Sequence, residues 1–465
     1  METSQTVREA QVSISLWQRL ITSSLLSERA ITLSTIIVAA GFMASKVLGL
    51  AREVLIAHAF GTTAPLDAFR AANTFSDMLD SVIAGVTIAA VFIPVFSTYL
   101  VQGEPGRREG WRFASAVLND MFLLMTLVAG IGILFAPQLV EYVVAPGFDA
   151  AQTELAASLM RIVLIAAIVF GVSGTVTGIL QAQNRFALTA MAGPLHNVGM
   201  IFGVLVLVPR MGVFGLAWGV VIGSLLHLGI QMPGLIRSRM MWFATVGGGQ
   251  GSMRELLRLL IPRIITTNIV SVTRLIMINL ASFLGEGSIS ALSYAYSLWQ
   301  FPETLIGTAI AVAVFPRLSQ RAAAKDARGF QHLFKLALVT ILALAIPCAL
   351  VAIFFAQPIV ALVLQRGAFG TESTTFVARV LQFYALAIVG ESVLEVATRV
   401  FYAEHDSKTP MFVTLGSMVL RIGLMIWWRD SLGAPGLALA YAIGVCLESS
   451  ALLLIARRRF AERGI

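Results

Sequence analysis

The sequence predicts an all-α polytopic membrane protein of about twelve transmembrane helices. The helices are expected to form two parallel six-helix lobes, related by a pseudo-twofold axis along the membrane normal. Composition is the first ground, because 57% of the residues are hydrophobic and only 12% are charged. A soluble domain carries about 25% charged residues. Long apolar runs and an internal repeat are the other two grounds.

The apolar runs give the individual helices. Met121 to Pro137, Ile162 to Leu180 and Leu336 to Val351 are examples, and about 20 such residues span the hydrocarbon core. The predicted helices lie at 30–57, 66–100, 112–137, 153–183, 187–209, 212–237, 254–284, 288–319, 332–356, 373–403, 408–428 and 434–456. Alternating ten-residue strands are absent from the sequence, which argues against an outer-membrane barrel.

Basic residues collect in alternate loops and predict the orientation. They are Arg107, Arg108, Arg112, Arg185, Arg237, Arg239, Arg254, Arg317, Arg321, Lys325, Arg328, Lys408, Arg457, Arg458 and Arg459. The other loops are poor in Lys and Arg and carry Glu141, Asp149, Glu286 and Glu372. Because Lys and Arg accumulate on the cytoplasmic side, both termini are predicted to be cytoplasmic. The basic residues of these loops account for the net charge of +8, so a nucleic-acid partner is not expected.

An internal repeat divides the chain into two halves. Pro137 and Pro358, Phe148 and Phe369, Thr177 and Thr398, and Gly215 and Gly436 are each separated by the same 221 positions. The predicted organisation is an N-terminal tail (1–29, with a candidate amphipathic segment), an N-lobe (30–240), a Gly-rich linker (241–253), a C-lobe (254–457) and a basic tail (458–465).

Ionisable residues inside the predicted helices mark the candidate site. Helix 1 carries Lys46, Arg52 and Glu53, and helix 7 carries Arg263 and Arg274. Charges in hydrocarbon are costly and usually face a wet cavity. Since helices 1 and 7 hold equivalent places in the two halves, their cations are expected to converge on the central axis. Such a lining selects an anion, and guanidinium groups suit phosphate or pyrophosphate.

The two cations of helix 1 do not share one face if the helix is straight. Lys46 and Arg52 are about 120° apart on a straight helix, and a bend at Gly49 between them would permit both to face the axis. The alternative interpretation is that charges within the helices pair and hold neighbouring helices together. Candidates for such pairs are Asp67 with Arg70, and Glu395 with Arg399.

No enzymatic class is indicated. The sequence lacks nucleotide-binding and hydrolase motifs, and His196 in GPLHN is interpreted as a helix-contact residue. Cys348 and Cys446 are far apart, so neither a disulfide framework nor a metal site is predicted. No cofactor is expected.

Several motifs resemble the MurJ/MviN family of lipid II flippases, within the wider group of multidrug and oligosaccharidyl-lipid exporters. They are SKVLGLAREVLIAHAFGTTAPLDAF (45–69), FIPVFSTYL (92–100), APGF (145–148), TGILQAQNRF (177–186), LQRGAF (364–369) and TRVFYAEHDSKTPM (398–411). The resemblance implies outward carriage of an undecaprenyl-pyrophosphate-linked peptidoglycan precursor by alternating access in a bacterial inner membrane. It also implies membrane lipids, a coupling Na⁺ or H⁺, and cell-wall synthesis proteins as candidate partners.

The resemblance also implies site residues. Lys46 stands at the position of a cavity Arg, Arg52 matches the next one, and Asp67 matches the family's DAF motif. Asp67 and Glu53 are the ion-coupling candidates. The chain departs from the family in two stretches, where helix 2 reads Asp77-Met78-Leu79-Asp80 and Ser297 replaces a helix 8 Arg. The family usually has fourteen helices, against the twelve predicted here.

Four alternatives remain at this stage. The departures allow an exporter of another polyprenyl-linked glycan, or a transport-inactive scaffold for cell-wall enzymes. A cation-coupled multidrug exporter would need an acidic cavity. A membrane-embedded transferase would need a catalytic cluster beside a large loop.

Overall fold

The computed structural model describes residues 37–81, 86–247 and 269–462, and these are almost entirely helical, without strands. We number the helical segments in chain order: α1, 37–60; α2, in two parts, Ala64–Leu79 and Val86–Val101; α3, Gly103–Leu134; α4, Ala150–Ala182; α5, Phe186–Met211; α6, Phe214–Arg237; α7, Ile269–Leu284; α8, Ser288–Ala323; α9, Ala327–Phe354; α10, Thr371–Ala403; α11, Lys408–Leu432; α12, Ala434–Ala461. Short helices follow α3 at Ala136–Leu139 and α9 at Ala356–Leu364.

The helical membrane fold is confirmed. Nine of these helices, counted over the described ranges, are long and apolar enough to cross a membrane. The other three are α1, α2 and α7, so twelve spans stays a prediction. Residues 1–36, 82–85, 248–268 and 463–465 lie outside the described residues, and with them the N-terminal tail, residues 248–253 of the Gly-rich linker and the first part of predicted helix 7. The predicted basic tail is helical as far as residue 462, because Phe460 packs on Phe330 and Phe334.

The internal repeat is visible in the backbone. α4 and α10 both contain 33 residues and begin 221 positions apart. Gly212 and Gly433, also 221 apart, have the same positive-φ conformation, with φ of 58° and 63°. Asn184 and His405 match in the same way, with φ of 59° and 60°. These coincidences support the prediction of two parallel lobes.

Close helix packing depends on small residues. In the N-lobe, a Cβ added to Gly199 of α5 would lie 2.4 Å from Cα of Gly223 in α6. The two backbones can therefore touch only because neither position has a side chain. α4 and α10 are the central helices of their lobes, and about half or more of their most apolar stretches is buried. They present apolar residues on all sides, as expected for helices surrounded by others.

The two lobes meet where the Lys- and Arg-poor loops lie, which we call the acidic end. The opposite end carries the basic loops and is called the basic end. Hydrogen bonds between lobes at the acidic end join Ala368 N to His58 O (2.9 Å), Thr62 Oγ1 to Ser373 Oγ (2.8 Å), Ala64 N to Glu286 Oε1 (2.8 Å) and Asn279 Nδ2 to Val143 O (2.7 Å). We call this set of contacts the seam. Gly61 is required there, because its φ is +59° and a Cβ would lie 2.6 Å from Ala368 O.

Candidate functional site

A polar cavity of about 390 Å³ lies between the lobes. The N-lobe contributes Ser45, Lys46, Gly49, Leu50, Arg52, Glu53, Phe170, Gly193, His196, Asn197 and His227, and α8 of the C-lobe contributes Ser297, Gln300 and Phe301. Two cationic side chains of α1 therefore face the same space as three residues of the opposite lobe. The cavity does not touch the seam residues, which close the acidic end.

Arg52 is held in position by three side chains. Its guanidinium donates to Asn197 Oδ1 at 3.1 Å and to Glu53 Oε1 at 2.8 Å, and contacts the sulfur of Met200. The amide of Asn197 in turn donates to the backbone carbonyl of Ser45 at 3.1 Å. Arg52 remains 23% exposed at its side chain, so it can still donate to a ligand in the cavity.

Lys46 is the second cation of the lining. Its ammonium lies 5.6 Å from the ring centroid of Phe42 on the same helix. Within the described ranges no carboxylate lies within ion-pair distance of it. Lys46 and Arg52 thus reach one cavity from a single continuous helix over 37–60.

Glu53 neutralises two arginines from two helices. It is only 3% exposed and accepts hydrogen bonds from both Arg52 and Arg70. Arg70 of α2 also lies over the ring of Tyr294 in α8, at 5.4 Å from the centroid. A buried carboxylate between two guanidiniums leaves the group with one net positive charge, so the cavity wall stays cationic.

Two predicted site residues that the structure describes, Asp67 and Arg274, do not line the cavity. Asp67 lies at the acidic end, 2% exposed, against the N-terminus of α8. Arg274 of α7 stacks on Tyr296 at 5.5 Å. Arg263 lies outside the described residues. Among the described residues, the C-lobe side of the cavity is formed by α8 instead of α7, since Arg274 is directed at an aromatic ring of its own lobe.

The two predicted pairs have different outcomes. Arg399 pairs with Glu395 one turn away, as predicted. Asp67 and Arg70 do not pair, because Arg70 faces Glu53 of α1 while Asp67 faces the opposite lobe. A further buried pair joins Arg421 of α11 to Glu448 of α12. Two opposite charges spaced by about one helical turn therefore form an ion pair only when no neighbouring helix offers either of them a better partner.

Sequence reasoning missed most of the polar cavity residues outside α1. His196 and His227 both pack edge-to-face on Phe170, at 5.1 and 5.4 Å between ring centroids. The histidine in GPLHN is thus a helix-contact residue, as interpreted, and also part of the cavity wall. The sequence signal that could have identified these cavity residues is a polar residue on an otherwise apolar helix. Asn197 and Gln300 show the same signal.

Two parallel helical lobes around a polar, cationic cavity define a membrane transporter of the two-lobe exporter type. The family is then shown by sequence: the chain belongs to the lipid II flippase MurJ family, whose model matches residues 56–464. It is 29% identical to the lipid II flippase MurJ of Burkholderia cenocepacia over 423 residues, covering 89% of this chain and 81% of that protein. It is also 29% identical to the probable lipid II flippase MurJ of Vibrio cholerae over 430 residues, covering 90% and 81%.

Solved structures agree. The structure described as lipid II flippase MurJ in an inward closed conformation matches with a TM-score of 0.81 and 25% identity, over 91% of this chain and 87% of that one. An inward-facing transporter of the multidrug MATE family has the same fold, with a TM-score of 0.74 and 15% identity over 90% and 95%. Membership in a transporter family accords with the absence of enzymatic motifs in the sequence.

Proposed function

We propose that this protein is a flippase that carries lipid II, an undecaprenyl-pyrophosphate-linked peptidoglycan precursor, from the cytoplasmic to the outer leaflet. The observation that carries the proposal is the pair Lys46 and Arg52 in one cavity between the lobes. Charge-assisted hydrogen bonds from cationic side chains are strong ligands for phosphate oxygens. Relatives that carry the name lipid II flippase cover most of the chain.

The positions of the basic loops support the proposed direction of transport. With the basic end in the cytoplasm of a bacterial inner membrane, both termini are cytoplasmic and the seam closes the outer side. The cavity would then receive a headgroup from the inner leaflet. Moving an anionic head outward is favoured by an inside-negative potential, at about 2.3 kcal/mol per charge per 100 mV.

The size of the cavity supports alternating access. Small-molecule sites have volumes of about 300–1,000 Å³, and 390 Å³ lies near the lower end. A glycopeptide head needs more space, so the lobes must part at the basic end to admit it and at the seam to release it.

The two ion-coupling candidates have different surroundings. Both oxygens of Asp67 already accept hydrogen bonds from α8, and Glu53 is shared by two guanidiniums. In this proposal Asp67 holds the seam closed and Glu53 sets the charge of the cavity wall. Coupling to Na⁺ or H⁺ and contact with cell-wall synthesis proteins remain predictions.

Complementation tests the proposal. A cell depleted of its own lipid II flippase should be rescued by this chain and not by Arg52→Ala. Arg210→Ala is the matched control, because Arg210 lies exposed at the far end of α5 and donates only to its own helix, at Val206 O. Failure of the wild-type chain to rescue despite normal membrane insertion, or rescue by Arg52→Ala at wild-type level, would overturn the proposal.

A second candidate is an exporter of another polyprenyl-linked glycan. Ser297 favours it, because this departure from the family pattern lies on the cavity wall. The two candidates share the pyrophosphate and differ in the sugar. Binding assays with lipid II and with an undecaprenyl-pyrophosphate carrying a different glycan would separate them. A multidrug exporter for cations is disfavoured by the charge of Lys46 and Arg52.

A further inference from the structure

A second polar pocket, of about 360 Å³, lies at the basic end of the N-lobe. It is lined by Leu100, Arg107, Trp111, Gln183, Arg185, Arg237, Ser238 and Arg239. Four of the eight residues are arginines and none is acidic. The pocket shares no residue with the central cavity, so its charge requires a separate explanation.

The arginines of this pocket have few counterions. Arg107 pairs at 3.2 Å with Glu104, whose side chain is 85% exposed, and such surface pairs contribute little. Arg185 donates to the backbone carbonyl of Gly234 at 3.0 Å. In the part of the chain that the structure describes, no carboxylate pairs with Arg185, Arg237 or Arg239. Their mutual repulsion would be relieved by an anion.

Trp111 supplies an independent observation. Its side chain is 1% exposed and its indole Nε1 is buried without an acceptor among the described residues. A buried N–H without a partner costs roughly 1–3 kcal/mol. Trp111 also lines the pocket, so its unpaired N–H belongs to the wall that carries the arginines.

The C-lobe contains the equivalent pocket and serves as an internal comparison. The offset of 221 places Gln183 on Glu404 and Arg185 on Asp406, and the matching left-handed Asn184 and His405 confirm the register. The C-lobe pocket, of about 680 Å³, includes Arg321, Lys325, Asp326, Glu404 and His405 in its lining. The N-lobe pocket therefore has an amide and an arginine where the C-lobe has two carboxylates.

Two arginines at this end of the C-lobe have carboxylate partners from their own lobe. Arg459 lies 2.7 Å from Asp406 and 3.7 Å from Glu404, and Arg321 pairs with Asp326. Although burial opposes it, hydrogen bonds from Thr409 and Arg459 lower the pKa of Asp406 to about 2. Arg321 and Arg459 of the C-lobe thus have carboxylate partners, whereas Arg185, Arg237 and Arg239 of the N-lobe have none among the described residues.

The side chains around the N-lobe pocket support a position at the membrane surface. Ile236, beside Arg237, is 74% exposed, and Trp242 a few residues further on is 62% exposed. Exposed aliphatic and Trp side chains next to arginines are typical of the cytoplasmic headgroup region, where anionic lipids attract basic residues.

We propose that this N-lobe pocket is a phosphate-binding site, distinct from the transport cavity, which holds either the phosphodiester headgroup of an anionic phospholipid or a free phosphate ion. Arg185, Arg237 and Arg239 would contact the phosphate oxygens, and Trp111 would donate its indole N–H to one of them.

Calorimetric titration of the purified full chain in a neutral detergent tests the site. The probes are dihexanoyl-phosphatidylglycerol, inorganic phosphate and, as the neutral lipid, dihexanoyl-phosphatidylcholine. Binding of phosphatidylglycerol alone supports a lipid headgroup, and binding of both anions supports recognition of phosphate itself. Arg185→Gln with Arg237→Gln should weaken binding about tenfold or more, because two charge-assisted hydrogen bonds are lost.

Two control variants distinguish this site from other cationic side chains of the protein. Arg321→Gln with Lys325→Gln alters the equivalent C-lobe pocket, and Arg210→Ala removes an exposed cation at the far end of α5, so each should leave the affinity unchanged. The proposal would be overturned if either control lost binding while Arg185→Gln/Arg237→Gln kept wild-type affinity. It would also be overturned if phosphatidylcholine bound as well as phosphatidylglycerol, or if no probe bound to the wild-type protein. If the double variant does not remain monodisperse, Arg239→Gln and Trp111→Phe decide, and wild-type affinity in both would also overturn it.

Discussion

Asp67 of the N-lobe caps the N-terminus of α8 in the C-lobe. Its carboxylate accepts from Ser290 N at 2.7 Å, from Ser290 Oγ at 2.5 Å and from Gly287 N at 2.7 Å. α8 has no side-chain cap of its own. The first N–H groups of a helix need acceptors, and a carboxylate there is stabilised by the helix dipole. Asp67 therefore adds a further link between the two lobes at the acidic end.

Asp67→Asn should loosen the seam, because an amide cannot accept three hydrogen bonds as a carboxylate does. The readout is disulfide formation between Thr62→Cys and Ser373→Cys in a chain whose Cys348 and Cys446 are alanine. Asp67→Asn should lower the cross-linking rate several-fold. Asp149→Asn is the control, since Asp149 caps α4 within its own lobe through Gln152 N at 2.7 Å. Equal cross-linking in the Asp67→Asn and parent proteins would contradict the capping role.

The same cysteine pair should inhibit transport when oxidised. The hydroxyl oxygens of Thr62 and Ser373 are 2.8 Å apart, so cysteines at these positions are placed to form a disulfide across the seam. Flipping in proteoliposomes should fall to background on oxidation and recover with dithiothreitol. Each single cysteine variant should be insensitive to oxidation. Full activity of the cross-linked protein would show that the seam does not open during transport.

Glu53→Gln should destabilise the N-lobe strongly. The change leaves Arg52 and Arg70 without their shared counterion, and breaking a buried ion pair costs roughly 3–5 kcal/mol. Thermal unfolding of the purified protein should show a clearly lower Tm. Asp430→Asn, which removes an exposed carboxylate beside Arg429, should leave Tm nearly unchanged. A Glu53→Gln protein as stable as wild type would mean that the pair is not a structural element.

The Arg421–Glu448 pair should show coupling in a double-mutant cycle. Both side chains are almost completely buried, at 6% and 2% exposure, so each single change leaves an uncompensated charge. Glu448→Leu and Arg421→Met alone should each lower Tm more than the double variant does, because replacing a whole buried pair by apolar residues is often neutral. Additive losses would indicate that the two residues act independently.

Much of the architecture could be predicted from patterns along the chain. Hydropathy located the helices, and the repeat offset predicted the parallel lobes that α4 and α10 display. Lys46 and Arg52 were predicted as cavity residues because charges on an apolar helix are costly. Both do line the cavity, although their role in binding stays a proposal until it is measured.

By itself the sequence determined that lipid surrounds this protein, where its helices lie and that they repeat. Hydrophobicity and spacing can be read along the chain without knowledge of its folding. The tertiary structure alone decided that Glu53 pairs with Arg70, that Asp67 crosses to α8, and that α8 instead of Arg274 completes the described cavity wall. The physical reason is that a buried charge takes the partner that helix packing and rotation bring within about 3 Å. Those partners are distant in sequence, so no local pattern records them.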